Sequence, residues 1–241
     1  MDWGNKSWEV EDAQFAPKRR VNNRGSRHKP HIIGSFYSPK TTKVVEYESL
    51  AEYLFYALLE LDKSALRYYV QPVEVDIPYI DGDTHRSWTH VPDVLVFRQG
   101  SVPILYQIKD TSVDEAHLQH INFACVNFAN QREWNYKIVY PKTMPSVVAR
   151  NVKFLMGHLV ERHGFEDYIP EVISRLAILR AVSIRDLAES FSYRAHPLYV
   201  LPVIYHLIAI GAISTNVNEV IDDLSEVSLM SLTDFGTISH D

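Results

Sequence analysis

The chain has 241 residues, 46% of them hydrophobic and 22% charged, which suits one large or two smaller folded domains and excludes a wholly disordered or collagen-like chain. No apolar run reaches ~18 residues, so no membrane-spanning helix is expected. The opening residues lack the basic-then-apolar order of a secretory leader, and none is expected. Cys125 is the single cysteine, so no internal disulfide or cysteine metal site can form. A reducing setting fits, and the apolar neighbours Val126 and Phe128 make Cys125 a small core hydrophobe rather than a nucleophile.

The net charge of −6 is unevenly spread. Residues 1–45 hold nine Lys/Arg against four Asp/Glu, residues 46–164 hold eleven against fifteen, and residues 165–241 hold four against eleven. Residues 18–43 contain no acid and carry Lys18, Arg19, Arg20, Arg24, Arg27, Lys29, Lys40 and Lys43. Such a segment suits a polyanion such as DNA, or a solvated arm. The acidic C-terminal third should avoid phosphates.

Residues 49–62 predict a helix, with Leu50, Tyr53, Leu54, Ala57, Leu58 and Leu61 on one face. Phe55 and Leu59 lie on the other side, so more than one face is expected to be covered. Residues 68–80 read as a strand in which Val73, Val75 and Ile77 alternate with Glu74 and Asp76. Asp81-Gly82-Asp83 predicts a tight turn. Further strands are expected at 86–97, 104–109 and 136–140, with a helix over 113–130. The order αβββαβ predicts a small mixed sheet flanked by helices. Pro141 and Pro145 then break the pattern, and a helix over 146–163 connects to the end of the chain. There, helices at 169–179, 183–190 and 197–210 precede short strands near 213–216 and 227–229, which is a winged-helix plan. The resulting division is a basic arm (1–45), an α/β core (46–145), a connecting helix (146–164) and a winged-helix-like domain (165–241).

Pro92-Asp93 opens a strand, and Gln107 and Lys109 share one face of the next. A turn at residues 99–101 folds the two strands together and brings Asp93 beside Gln107 and Lys109. Glu52 of the first helix can reach the same place. Two carboxylates suit a hard divalent cation such as Mg²⁺. An ammonium can orient or deprotonate a water and stabilise charge on phosphate. Each residue also has a plainer explanation. Ser49 and Glu52 form a capping box, Asp93 can cap a turn, and Lys109 can end an edge strand. Glu52 is nonetheless the only charged residue between Leu50 and Leu59.

Pro92-Asp93 with Gln107-Ile108-Lys109 resembles the PD-(D/E)xK nuclease superfamily, with Gln at a position where Glu or Asp is usual. Residues 34–40 (GSFYSPK), Glu48-Ser49-Leu50-Ala51-Glu52, Gln71-Pro72 and Val91-Pro92-Asp93 narrow the likeness. Together they resemble the TnsA family, the endonuclease subunits of heteromeric bacterial transposases, in which a Q-x-K third motif is familiar. The likeness spans about residues 30–141 by motif and extends more loosely over the C-terminal domain. It implies a restriction-endonuclease-like core and Mg²⁺-dependent cutting, with Mn²⁺ able to substitute, at the 5′ ends of a transposon. It implies Glu52, Asp93 and Gln107 as metal ligands, the Ile108 carbonyl as a further ligand, and Lys109 positioning the water. The implied partners are transposon-end DNA, a DDE-type transposase that handles the 3′ ends, and an AAA+ ATPase docked on the C-terminal region. The implied location is the bacterial cytoplasm, on the nucleoid when assembled on DNA.

Two other functions remain open from the residues: a non-catalytic DNA-binding or assembly subunit with a weakened site, and a stand-alone restriction or repair nuclease. His117 and His120 lack a third metal ligand and read as surface or core histidines. His28 and His31 add to the basic arm. No Gly-rich phosphate loop is present, so no ATP hydrolysis is expected. The helix over 197–210 has no Lys, Arg, Asn or Gln to read a DNA groove, and Pro202 should kink or break it. The end domain is therefore expected to bind protein or pack on the core.

Overall fold

The computed structural model describes residues 2–19, 33–110 and 115–229. It is a mixed α/β protein with seven α-helices and several sheets among those residues. Two compact units emerge, Met1–Tyr56 with Ser64–Thr143, and Ala57–Lys63 with Met144–Asp241. No helix among the described residues is long and apolar enough to cross a membrane.

In the first unit, α1 (Glu9–Gln14) precedes an antiparallel hairpin of β1 (Gly34–Ser38) and β2 (Lys43–Tyr47). Helix α2 (Leu50–Leu61) follows; its residues 50–56 belong to this unit and 57–61 to the second. The central sheet has the order β3-β6-β7-β8, from β3 (Ala65–Val70), β6 (Val94–Arg98), β7 (Ile104–Ile108) and β8 (Asn135–Val139). Only β7 and β8 run parallel, and α3 (Glu115–Asn130) is the crossover between them. Strands β6 and β7 are buried along their whole length, which their continuous apolar runs require. Leu95, Phe97 and Leu105 pack with Ile121 and Cys125 of α3, so Cys125 is a core residue. On α2, Phe55 lies against Tyr106 at 5.0 Å between ring centroids.

The expected strand over 68–80 is two strands, β3 and β4 (Val75–Asp81). Gln71 takes a left-handed φ of 49°, and Pro72 has no N–H for a ladder. The expected strand over 86–97 likewise divides into β5 (Thr84–His90) and β6, with Pro92 in the gap. Strands β4 and β5 form a separate two-stranded ribbon closed by Gly82-Asp83. Gly82 has φ 62°, the conformation such a two-residue turn favours in glycine.

Residues 2–19, expected within a basic arm, lie on the sheet. Trp3 and Trp8 stack edgewise on Phe97 at 5.4 and 5.1 Å. Phe15 is 4% exposed, and the Trp3 indole donates to the Ser101 carbonyl at 3.2 Å. Aromatic burial of this kind outweighs the charge balance of the segment. Strand β1 also falls inside the expected arm, and β2 straddles its expected end at 45.

In the second unit, α4 (Ser146–Met156) ends seven residues before the expected 163. Buried Asn151 explains why it stays fixed: its amide donates to the carbonyls of Val217 and Glu219 at 2.9 and 2.6 Å and accepts from the Ile221 amide at 3.1 Å. Helices α5 (Ile169–Leu179), α6 (Ile184–Glu189) and α7 (Pro197–Ala209) share a core with Val148, Val152 and Leu155 of α4. Pro202 lies inside α7, and the helix continues through it. Strands β10 (Ser214–Thr215), β11 (Glu226–Ser228) and β9 (Ala181–Ser183) form a small sheet in the order β10-β11-β9. Strand β9 was not expected, because three residues carry no readable alternation.

Candidate active site

Asp93 sits in the bend between the ribbon and β6. Its backbone fixes it from two sides: its N–H donates to the Tyr106 carbonyl at 3.1 Å, and its carbonyl accepts from the Gln71 amide at 2.8 Å. The β6–β7 pairing sets Val94 opposite Tyr106, which delivers Gln107 and Ile108 to the Asp93 carboxylate. Oδ2 accepts from the Gln107 side-chain amide and, at 2.5 Å, from the Ile108 N–H. The strand pairing expected from the sequence therefore brings Asp93, Gln107 and Ile108 together. Lys109 follows at the end of β7, where its N–H donates to the Val139 carbonyl at 2.9 Å. Among the described residues no ion pair engages its ammonium.

Glu52 caps α2. Its N–H donates to the Ser49 hydroxyl at 3.1 Å, and its Oε2 accepts from the Glu48 N–H at 2.8 Å. The capping box expected from Ser49 and Glu52 is thus present, with the Glu48 amide rather than that of Ser49 as the return partner. The cap holds the carboxylate in one place without removing its charge.

Burial pushes the Asp93 carboxyl up to about 7, and the nearby charge of Glu52 adds to the rise. The Ile108 amide, Lys109 and Arg19 pull the other way. Asp93 keeps some solvent exposure as a residue, but its carboxyl faces protein. Burial also raises Glu52, opposed by the Glu48 amide. A desolvated carboxyl beside a second carboxylate is the situation a divalent cation relieves. The two oxygen donors suit a hard cation, which usually completes its shell with water and substrate phosphate. Among the described residues, no group of three or more His, Cys, Asp or Glu is placed to hold a metal ion.

Gln107 departs from a ligand's orientation. Its amide nitrogen faces Asp93, and Oε1 lies 2.7 Å from His90 Nε2. An amide oxygen directed at a cation beside Asp93 requires a half-turn of this group. Replacing Gln107 by Glu puts a third negative charge against Asp93 and Glu52. Gln107→Glu is expected to tighten Mn²⁺ binding about tenfold, roughly 1.4 kcal/mol, and to lower metal-free stability at pH 8. Calorimetric titration of both forms checks the first effect; equal affinities would show that the amide does not limit metal binding.

Three contributors escaped the sequence. His90 contacts Gln107, and burial lowers its basicity; nothing in a polar ribbon strand marked it. Glu48 and Gln71 were noted only as motif letters. Of the expected DNA-contacting residues, Arg19 reaches the site, with Nη2 2.5 Å from Glu48 Oε2. Lys18 donates to the Gln14 carbonyl at 3.0 Å. Lys40 donates to the Ala65 carbonyl at 2.6 Å, and Lys43 lies 3.7 Å from Asp12, so both also serve packing. Arg20, Arg24, Arg27 and Lys29 lie outside the described residues, as do His28 and His31. His120 is exposed. Comparison with protein-family models and with curated proteins finds no match to this chain.

Proposed function

We propose that this chain is a metal-dependent DNA endonuclease of the TnsA type, the subunit of a heteromeric transposase that cuts at the 5′ ends of a transposon. The observation that carries the proposal is Asp93 held against Gln107 and Ile108, within reach of the charges of Glu52 and Lys109. The order α2-β3-β6-β7-α3-β8, once the β4–β5 ribbon is set aside, supports reading the first unit as a restriction-endonuclease-like core. The order α5-β9-α6-α7-β10-β11 supports reading the second unit as a winged-helix domain.

Glu52 and Asp93 would hold Mg²⁺ or Mn²⁺, with the Gln107 amide oxygen and the Ile108 carbonyl completing the protein's share. The ion would supply charge stabilisation at the scissile phosphate and a more acidic water. Lys109 orients that water and offsets charge developing on phosphate. The neutral Gln107 leaves the site one charge short of the Glu form, so metal and DNA reinforce each other's binding. Leu198 and Tyr199 on α7 are 66% and 72% exposed. That favours a protein partner for the second unit, the AAA+ ATPase in this proposal, over a DNA groove. The setting is then the bacterial cytoplasm.

The test incubates the chain with transposon-end duplex and the DDE-type transposase, with Mg²⁺ or with chelator. Metal-dependent cutting at the 5′ ends is expected, with little cutting of plasmid by the chain alone. Duplex binding without cutting under every metal condition would favour a non-catalytic assembly subunit. Efficient cutting without the transposase would favour a restriction or repair nuclease.

A further inference from the structure

The N-terminal segment does more than cover the sheet, because its residues 18 and 19 reach the candidate site. Asp12 and Phe15 anchor it: Asp12 is bonded to Arg67 and Tyr69, and Phe15 packs 5.3 Å from the Tyr69 ring. Beyond Pro17, the Lys18 N–H donates to the Gln71 carbonyl at 2.9 Å, and the Gln71 N–H donates to the Asp93 carbonyl at 2.8 Å. Arg19 therefore follows a backbone that is two hydrogen bonds from Asp93. In its satisfied orientation, the Gln71 side chain donates to the Arg19 carbonyl at 2.8 Å and accepts from Nη2 at 3.1 Å. Glu48 holds the same nitrogen at 2.5 Å, and the Glu48 N–H binds Glu52 at 2.8 Å. Two acceptors, Glu48 and Gln71, thus hold the guanidinium by Nη2, and its charge is felt at Glu52, Asp93 and His90.

As a stability device this arrangement is weak. The Arg19 side chain is 52% exposed, and water screens an exposed ion pair to little net stability. Glu48 and Gln71 both engage Nη2; among the described residues Nε and Nη1 have no partner, and each can donate a single hydrogen bond to another acceptor. A charged N–H donor suits a non-bridging oxygen of a phosphodiester. The site also needs positive charge: Glu48, Glu52 and Asp93 must accept a polyanion beside them, and among the described residues Lys109 adds a second cation whose charge reaches Asp93.

We infer that Arg19 is a catalytic residue, one that binds a non-bridging oxygen of the scissile phosphate while Glu48 and Gln71 hold it in position. This rests on the nuclease proposal. It assigns Arg19 to the reacting phosphate rather than to the general DNA backbone.

The experiment compares Arg19→Ala, Arg19→Lys and Asp93→Ala with the natural chain, using transposon-end duplex and transposase. Single-turnover cutting, duplex affinity and Mn²⁺ affinity without DNA are measured. Arg19→Ala is expected to slow cutting ~100-fold while duplex affinity changes less than ~5-fold, as for loss of one phosphate contact among many. Arg19→Lys should recover part of the rate, since it restores charge without the fork. Mn²⁺ affinity of the DNA-free Arg19→Ala chain should hold or rise, because a neighbouring cation is gone, whereas Asp93→Ala should lose it. If Asp93→Ala is inactive and Arg19→Ala cuts within threefold of the natural chain, the inference fails and the nuclease proposal stands. A parallel loss of Mn²⁺ affinity in Arg19→Ala would also overturn it, by showing a collapsed site. If the natural chain cuts under no condition, the nuclease proposal fails and takes this inference with it.

Discussion

Replacing Asp93 by Asn is expected to reduce metal-dependent cutting by ~1,000-fold or more and to raise the melting temperature of the metal-free protein at pH 8. The second effect follows from the direction of its acidity. The carboxyl titrates at about 7 in the folded chain against 3.8 ordinarily. Between those values the folded state keeps a proton that the unfolded state has released, so stability falls as pH rises from about 4 to about 7. Below pH 4 both states are protonated and this penalty vanishes. Asn binds no proton and avoids the penalty. It can still accept the Ile108 N–H that now goes to Oδ2. The gain at pH 8 should be of order 2 kcal/mol, which is about 4–8 °C for a chain of this length.

Thermal unfolding at pH 4 and pH 8, with and without Mn²⁺, checks both effects. At pH 4 the two proteins should melt together. At pH 8 the Asn form should melt higher without metal. Mn²⁺ should stabilise only the natural chain, by an amount rising with the logarithm of Mn²⁺ concentration above its Kd. An Asn variant that is less stable at both pH values would make Asp93 a structural hydrogen-bond acceptor rather than a group held ready for a cation.

What the sequence revealed and what it hid divide along physical lines. Helix α5 was expected over 169–179 and spans Ile169–Leu179, because its apolar spacing is regular and Pro170 opens it. The approach of Asp93 to Gln107 was readable because a turn between two apolar runs leaves one antiparallel register that buries both. The ends of those strands were not readable. Alternation continues through Gln71-Pro72 and Val91-Pro92, and only the missing ladder donors of proline and the positive φ of Gln71 interrupt it. The N-terminal segment was hidden by arithmetic. Trp3, Trp8 and Phe15 precede the acid-free stretch, and a charge count over residues 1–45 merged a packed strap with the basic run after it. His90 was invisible for a different reason. Its contact with Gln107 depends on where a ribbon ends, and no local pattern encodes that.

The strap makes a second large effect possible at a distance from the site. Arg67 is 7% exposed. Its Nε and Nη2 donate to Asp12 Oδ1 at 3.1 and 2.6 Å, its Nη1 to the Lys40 carbonyl at 2.6 Å, and Tyr69 donates to Asp12 Oδ1 at 2.8 Å. Burial acts to raise the Asp12 carboxyl, but the hydrogen bonds from Arg67 and Tyr69 prevail and hold it below its ordinary value. Asp12 therefore contributes stability above pH 3.8 that is lost as pH falls through its lower folded value. Asp12→Ala leaves a buried guanidinium with only neutral acceptors, the Lys40 carbonyl and the Tyr69 oxygen, and a Tyr69 O–H with none, and should cost about 3 kcal/mol, or ~6–12 °C in melting temperature. The deficit should shrink on acidification below pH 4. Replacing both partners, Asp12→Ala with Arg67→Met, should recover part of the loss, because no buried charge is then orphaned. Hydrogen exchange supplies the link to function. The Phe15 and Lys18 amides, now bonded to the Glu11 and Gln71 carbonyls at 2.8 and 2.9 Å, should lose protection in Asp12→Ala, and cutting should slow as Arg19 is released. Full protection at Lys18 together with slowed cutting would mean that Asp12 influences the site by some route other than the strap.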